Sequence, residues 1–210
     1  MKGLFTSLVA TTLWLALASD AHARDVRRLG FKEKRGYLMV TGTVTDVFDA
    51  TQLEDLSSGF VTNIVVRFGV YGPGDAEPRV VSFATRRVIF DRWDGDFHVE
   101  VVDMTSSREQ RIRSRADALK VATTFWEVPI AQLSQIDVGP VYQLYVVVEV
   151  NPVSPESLAE VRRWLTRPQG RAAAGTGSFF GAVVSLFVNP KLDDAERVLR
   201  FWSQRFYRVD

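Results

Sequence analysis

Asp91, Asp94 and Asp96 stand within six residues of one another, around an Asp94-Gly95 step. Clustered carboxylates suit a hard cation such as calcium. Asp is also a favoured turn residue, and Asp-Gly closes a hairpin. A calcium loop supplies more ligands at fixed spacing, and Arg92 interrupts this one, so the expectation is a turn with no metal. Two residues on, His98 and Glu100 fall on one side of a period-2 run, with Phe97, Val99 and Val101 on the other. A dyad in which Glu100 orients His98 is the catalytic reading. The chain has no Gly-x-Ser-x-Gly elbow to supply a nucleophile, so a solvated sheet face is the expected one.

Three further groups carry charge or apolar surface in a pattern. Arg111, Arg113 and Arg115 alternate between Glu109 and Asp117, which fits a polar edge strand or, alternatively, a strip for anions or lipid headgroups. Arg200, Arg205 and Arg208 interleave with Phe201, Trp202, Phe206 and Tyr207. Such mixtures bind single-stranded nucleic acid elsewhere, but here a closing strand with its aromatics turned inward is expected. The run from Phe179 to Val188 has no charge and follows a Gly-, Ala- and Ser-rich stretch at 169–178, read as a flexible loop. It is either a buried element or an exposed contact for a membrane or partner through Phe179, Phe180, Val184, Leu186 and Phe187. Its apolar residues would go all round a helix, without the basic face of an interfacial helix.

Composition narrows the chemistry. There is no cysteine, which excludes disulfides, thiol nucleophiles, Cys-bound zinc and iron–sulfur ligation. Lys and Arg total 26 against 25 Asp and Glu, a net charge of +1, which argues against a nucleic-acid binder. Only two histidines occur, His22 and His98. His22 falls in a segment that reads as an export signal. Lys2 gives it a positive start, Leu4 to Ala18 is apolar, and Ala21-His22-Ala23 offers the small-x-small pattern of signal cleavage. The apolar stretch is shorter than the roughly 20 residues of a transmembrane helix, so cleavage after Ala23 is expected rather than retention as an anchor. His98 is then left as the mature chain's histidine, and no multi-His metal site can form within one subunit.

The elements that must position these groups follow from periodicity. Residues 24–36 are charged and aperiodic and read as a leader. Residues 37–208 read as one domain with this order: a strand over 38–44, a short helix within 49–58 capped at Thr51 and stopped by Gly59, and a meander of strands over 60–71, 79–93 and 96–104. Then come an edge strand at 109–113, a helix capped by Ser114 whose stripe is Leu119, Ala122, Thr123 and Trp126, and a connector over 128–138. Residues 141–150 form the strongest strand, apolar on both faces and therefore central. Ser154-Pro155-Glu156 opens another helix, and 198–207 is a last strand. The fold class is α+β: a mostly antiparallel, sandwich-like sheet with two or three helices.

The pattern resembles the exported bacterial domain-of-unknown-function family 4390. The resemblance is carried by Gly59-Phe60 leading into Ile64-Val65-Val66-Arg67-Phe68, the Arg86–Phe90 strand with its Asp94-Gly95 hairpin, Tyr142, and Phe201-Trp202-Ser203-Gln204-Arg205-Phe206-Tyr207. It covers about residues 36 to 208. It implies an exported bacterial protein and brings no catalytic residues, and the Phe179–Val188 run fits it least well.

The functional expectation is an exported, periplasmic or extracellular, non-enzymatic accessory or interaction protein of the cell envelope. It would contact an envelope protein or lipid, need no cofactor, bind no nucleic acid, and not span the membrane once the signal is cleaved. The alternative is a binder of an apolar small molecule or lipid held between the sheet and its helices, with Trp126, Trp164 and Trp202 as walls. A hydrolase using carboxylates alone is the third reading.

Overall fold

Turn chemistry sets the first sheet. Gly72 to Asp75 reverses the chain, with Asp75 N–H donating to the Gly72 carbonyl at 3.3 Å. Gly95, at φ 68°, closes the next hairpin by donating to the Asp91 carbonyl at 2.8 Å. The computed structural model describes residues 25–152 and 195–208. Their strands are β1 (Val26–Arg27), β2 (Gly30–Lys34), β3 (Tyr37–Thr43), β4 (Thr62–Tyr71), β5 (Val80–Asp91), β6 (Asp96–Val102), β7 (Ser107–Ile112), β8 (Thr124–Gln132), β9 (Val141–Pro152), β10 (Ala195–Ser203) and β11 (Phe206–Tyr207). The helices are α1 (Ala50–Asp55) and α2 (Arg115–Thr123), and short 3-10 turns lie at Thr45–Val47 and Leu133–Gln135. The described chain is thus mostly β.

The larger sheet runs β1-β10-β9-β4-β5-β6-β7, with β11 also on β9, and the smaller runs β2-β3-β8. Only β1 on β10 is parallel among the described pairs. The expected meander of β4, β5 and β6 and the edge strand β7 are present, and β9 is central between β4 and β10. Ile64, Val66 and Phe68 of β4, Leu144, Val146 and Val148 of β9, and Val99 and Val101 of β6 face Leu38, Val40, Phe125, Val128 and Ile130 of the smaller sheet in one apolar cluster. Phe68 and Phe125 meet edge to face at 5.6 Å across it. Ala118 and Ala122 of α2 join it too.

The reverse face of the larger sheet is also dry at its centre. Val65, Phe83 and Val147 are buried there, and Arg67 Nη2 donates to Glu149 at 2.8 Å with both side chains 1% exposed. Burial pushes the Glu149 carboxyl up, and Arg67 opposes that rise.

Four sequence expectations change. Residues 26–27 and 30–34, read as part of a leader, are strands of the larger and the smaller sheet respectively. Gln204 holds this segment by accepting from Leu29 N–H at 2.9 Å and donating to its carbonyl at 2.7 Å, and Arg27 pairs with Asp46 at 2.7 Å. The partners lie as far as 175 residues along the chain, which no local pattern reveals. Helix α1 is capped by Asp49, not Thr51: its carboxylate accepts from Thr51 and Gln52 N–H while the Gln52 side chain accepts from Asp49 N–H. Trp126 does not continue the α2 stripe, because the chain turns extended at Thr124. The first part of the connector 128–138, as far as Gln132, is the end of strand β8. Its register advances from Phe125 opposite Gly42 to Val128 opposite Val40, an extra residue in β8, and Glu127 there has φ 47°. This bulge turns residues three apart inward and hides the period of two.

The signal at 1–23, the helix from Ser154, Trp164, the loop at 169–178, and Phe179, Phe180, Val184, Leu186 and Phe187 lie outside the described residues. Among the described residues no helix is long and apolar enough to cross a membrane.

Candidate functional site

The pleat of β7 separates two faces. Val101 pairs with Arg108 and Val99 with Gln110, so Arg108 and Gln110 share the inner face with the core residues of β6. Glu109 and Arg111 take the other face. Ser114 Oγ accepts from Asp117 N–H at 3.3 Å and starts α2 beside this inner face. Asp117, Lys120, Val121 and Thr124 then follow at i, i+3, i+4 and i+7, one side of the helix and its exit. Together with Val101, Arg108, Gln110 and Trp126 they line a cavity of about 410 Å³. Its walls combine apolar surface from Val101, Val121 and Trp126 with the cations Arg108 and Lys120 and the acid Asp117. Trp126 is 65% exposed, an unusual state for so large an apolar side chain.

A buried charge adjoins two residues of the cavity wall, Val101 and Thr124. Arg86 lies opposite Val101 in the β5–β6 register, so Arg86, Val101 and Arg108 make one row on one face. Arg86 is 1% exposed. Its Nη2 donates to the carbonyl of Thr124 at 3.4 Å, and its guanidinium sits 5.0 Å from the Phe125 ring centre. Among the described residues its Nε and Nη1 have no hydrogen-bond partner. Burial lowers its pKa to about 10, an effect that nearby Asp103 opposes and Arg108 reinforces. Asp103 is committed elsewhere: its carboxylate accepts from the backbone N–H of Thr105 and Ser106 and from both of their hydroxyls, holding the β6–β7 turn.

The groups singled out by sequence are dispersed. Asp91 accepts from Trp93 and Asp94 N–H at 2.8 and 3.2 Å, and these bonds lower its pKa. Asp94 lies 3.6 Å from Arg111, and Asp96 lies 3.2 Å from His98 Nε2. No group of three or more metal-capable side chains occurs among the described residues. His98 is on the expected outer face, but its second carboxylate is Glu109, 3.3 Å from Nδ1, rather than Glu100. A neighbour across the strands is closer here than one along the strand. Arg111 faces outward 3.6 Å from Asp94, Arg113 lies in the exposed turn after β7, and Arg115 opens α2. In the final strands Phe201 and Phe206 are buried as expected, while Tyr207 is 65% exposed. Trp202 packs on Tyr145 and Tyr71, with ring centres 4.8 and 5.0 Å away, and shares no wall with Trp126.

Sequence reasoning therefore missed Arg86, Arg108, Gln110, Asp117 and Lys120. The helical spacing of Asp117, Lys120 and Val121 was available as a signal, whereas Arg86 reads as an ordinary polar position of a strand. No family model matches this chain, and the comparisons with curated proteins and with solved structures return no match.

Proposed function

We propose that this protein is an exported, non-enzymatic, sandwich-like α+β binding module of the cell envelope that takes a small amphipathic molecule in the cavity between β6, β7, α2 and β8. The observation that carries the reading is the cavity itself, in which Trp126 and two valines offer apolar wall beside Arg108 and Lys120. Ligand sites are commonly apolar clefts with a few polar groups that orient the occupant. Export rests on the Lys2 to Ala23 segment and on the resemblance to family 4390. A role in contacting an envelope protein or lipid through Phe179–Val188 rests on residues outside the described ones, so the cavity is the better-supported site.

Native mass spectrometry of the protein purified from its host tests the reading, with Trp126→Ala alongside. The expected result is a co-purifying small molecule on the wild-type protein that is lost or strongly depleted on the folded variant. A wild-type protein that carries nothing, or a ligand equally retained by Trp126→Ala, would overturn it.

A further inference from the structure

We infer that the cavity selects ligands with an anionic headgroup, a carboxylate or a phosphate, and that Arg86 is the residue that sets this preference. The inference rests on the cavity reading above and goes further by naming the ligand's charge and the residue that recognises it.

Arg86 is a cation in the wrong place for stability alone. It is 1% exposed, its Nε and Nη1 meet no acceptor among the described residues, and its hydrogen bond to the Thr124 carbonyl is long at 3.4 Å. Buried charges are normally paired or hydrogen-bonded, because an orphaned one bears the full desolvation cost. Asp103, which acts on Arg86 through space, already accepts bonds from Thr105 and Ser106 at both carboxylate oxygens.

Position links this cation to the cavity. Two of the groups next to Arg86, Val101 across the strand and Thr124 at the guanidinium, are cavity walls, while Ile64 and Phe125 flank it on the core side. Arg108 lies beyond Val101 in the same row, and Lys120 stands on the helix opposite. An acid group beside Val101 and Thr124 therefore has Arg86 behind it and Arg108 and Lys120 before it. Asp117 is the acid in the lining and would repel such a group, so it faces a majority of positive charge. Arg86 is screened from water, so its field on that group is damped less by solvent and salt than that of the two solvated cations. An uncharged tail against Trp126 and Val121 gains nothing from this field. Selectivity for the acid thus belongs to Arg86, while affinity for the tail belongs to the apolar wall.

Isothermal titration of dodecanoate, dodecyl phosphate and uncharged dodecanol into the wild-type protein, Arg86→Met, Arg86→Lys and Arg108→Met tests this. The wild-type protein should bind the two acids at least tenfold more tightly than dodecanol, and the two acid arms tell which headgroup is preferred. Arg86→Met should bring both acids down to the dodecanol affinity and leave dodecanol unchanged, Arg86→Lys should keep part of the preference, and Arg108→Met most of it. Equal wild-type binding of acid and alcohol, or a preference that survives Arg86→Met or disappears with Arg108→Met, overturns the inference and leaves the cavity reading standing. Failure of all three probes to bind overturns both. Circular dichroism establishes that each variant is folded, and Arg86→Lys keeps the test decisive if the Met variant is not.

Discussion

Replacing Arg86 by Met should make the unliganded protein more stable. The guanidinium sits among Phe125, Val101 and the Thr124 backbone with two nitrogens unpartnered among the described residues. Its pKa, lowered to about 10 by burial, means that the fold holds the cation at a cost of about 3 kcal/mol at neutral pH. The Phe125 ring 5.0 Å away returns about 1 to 2 kcal/mol. The long bond to Thr124 returns about 0.5 kcal/mol. Met has a similar length and adapts to irregular space, so packing is largely kept. The net expectation is a gain of about 1 kcal/mol, or roughly 2 to 4 °C in Tm for a domain of this size. Urea unfolding without ligand should show a higher midpoint at an unchanged slope. The gap between variant and wild type should narrow as pH rises through about 10. Above that value the folded protein sheds the proton while the unfolded chain keeps it, so wild-type stability climbs with pH. A loss of more than about 2 kcal/mol on Arg86→Met would refute the reasoning, since it would mean that the fold itself already compensates the charge.

Two other predictions probe the scaffold. Gly95→Ala should cost about 1 kcal/mol, because φ 68° at the β5–β6 hairpin is strained for a residue with a Cβ, and a midpoint within error of wild type would contradict this. The Arg27 side chain beside Asp46 holds that carboxyl below its ordinary range, so the pair's contribution is present above a pH of about 4 and is lost as pH falls through the folded value. Asp46→Asn should therefore flatten the acid limb of the stability profile measured by urea titration at successive pH values, and an unaltered limb would show that the clip contributes nothing.

Legibility of the fold followed the range of the interactions. The hairpins at Gly72–Asp75 and Asp94–Gly95 and the capped start of α2 at Ser114 depend on neighbours within a few residues, and each is visible in the sequence; β9 takes its partners from distant β4 and β10, but its nearly continuous apolar run marks it as central. Strand β1 depends on β10, far along the chain, and β8 carries a bulge, so their own residues look aperiodic; β2 forms a local hairpin with β3, but its charged residues hide the alternation. The candidate site behaved likewise. Trp126 was singled out as a wall residue and lines the cavity, while Trp202 belongs to an aromatic group with Tyr71 and Tyr145.

The sequence by itself determined the missing chemistry: no cysteine for thiol or disulfide function, two histidines, near-balanced charge, and a mostly β pattern with local turns. Residue counts and short-range propensities are properties of the chain, and tertiary contacts cannot alter them. Only the tertiary structure decided which charges matter. Arg86 and Arg87 are adjacent in sequence, yet the pleat of β5 buries Arg86 beside the cavity wall and leaves Arg87 exposed. The pairing of β5 with β6 and of β6 with β7, and the seating of α2 beside them, bring Arg86, Arg108 and Lys120 around one small volume. That convergence depends on strand register and helix placement, which are set by the common core rather than by any local run of residues.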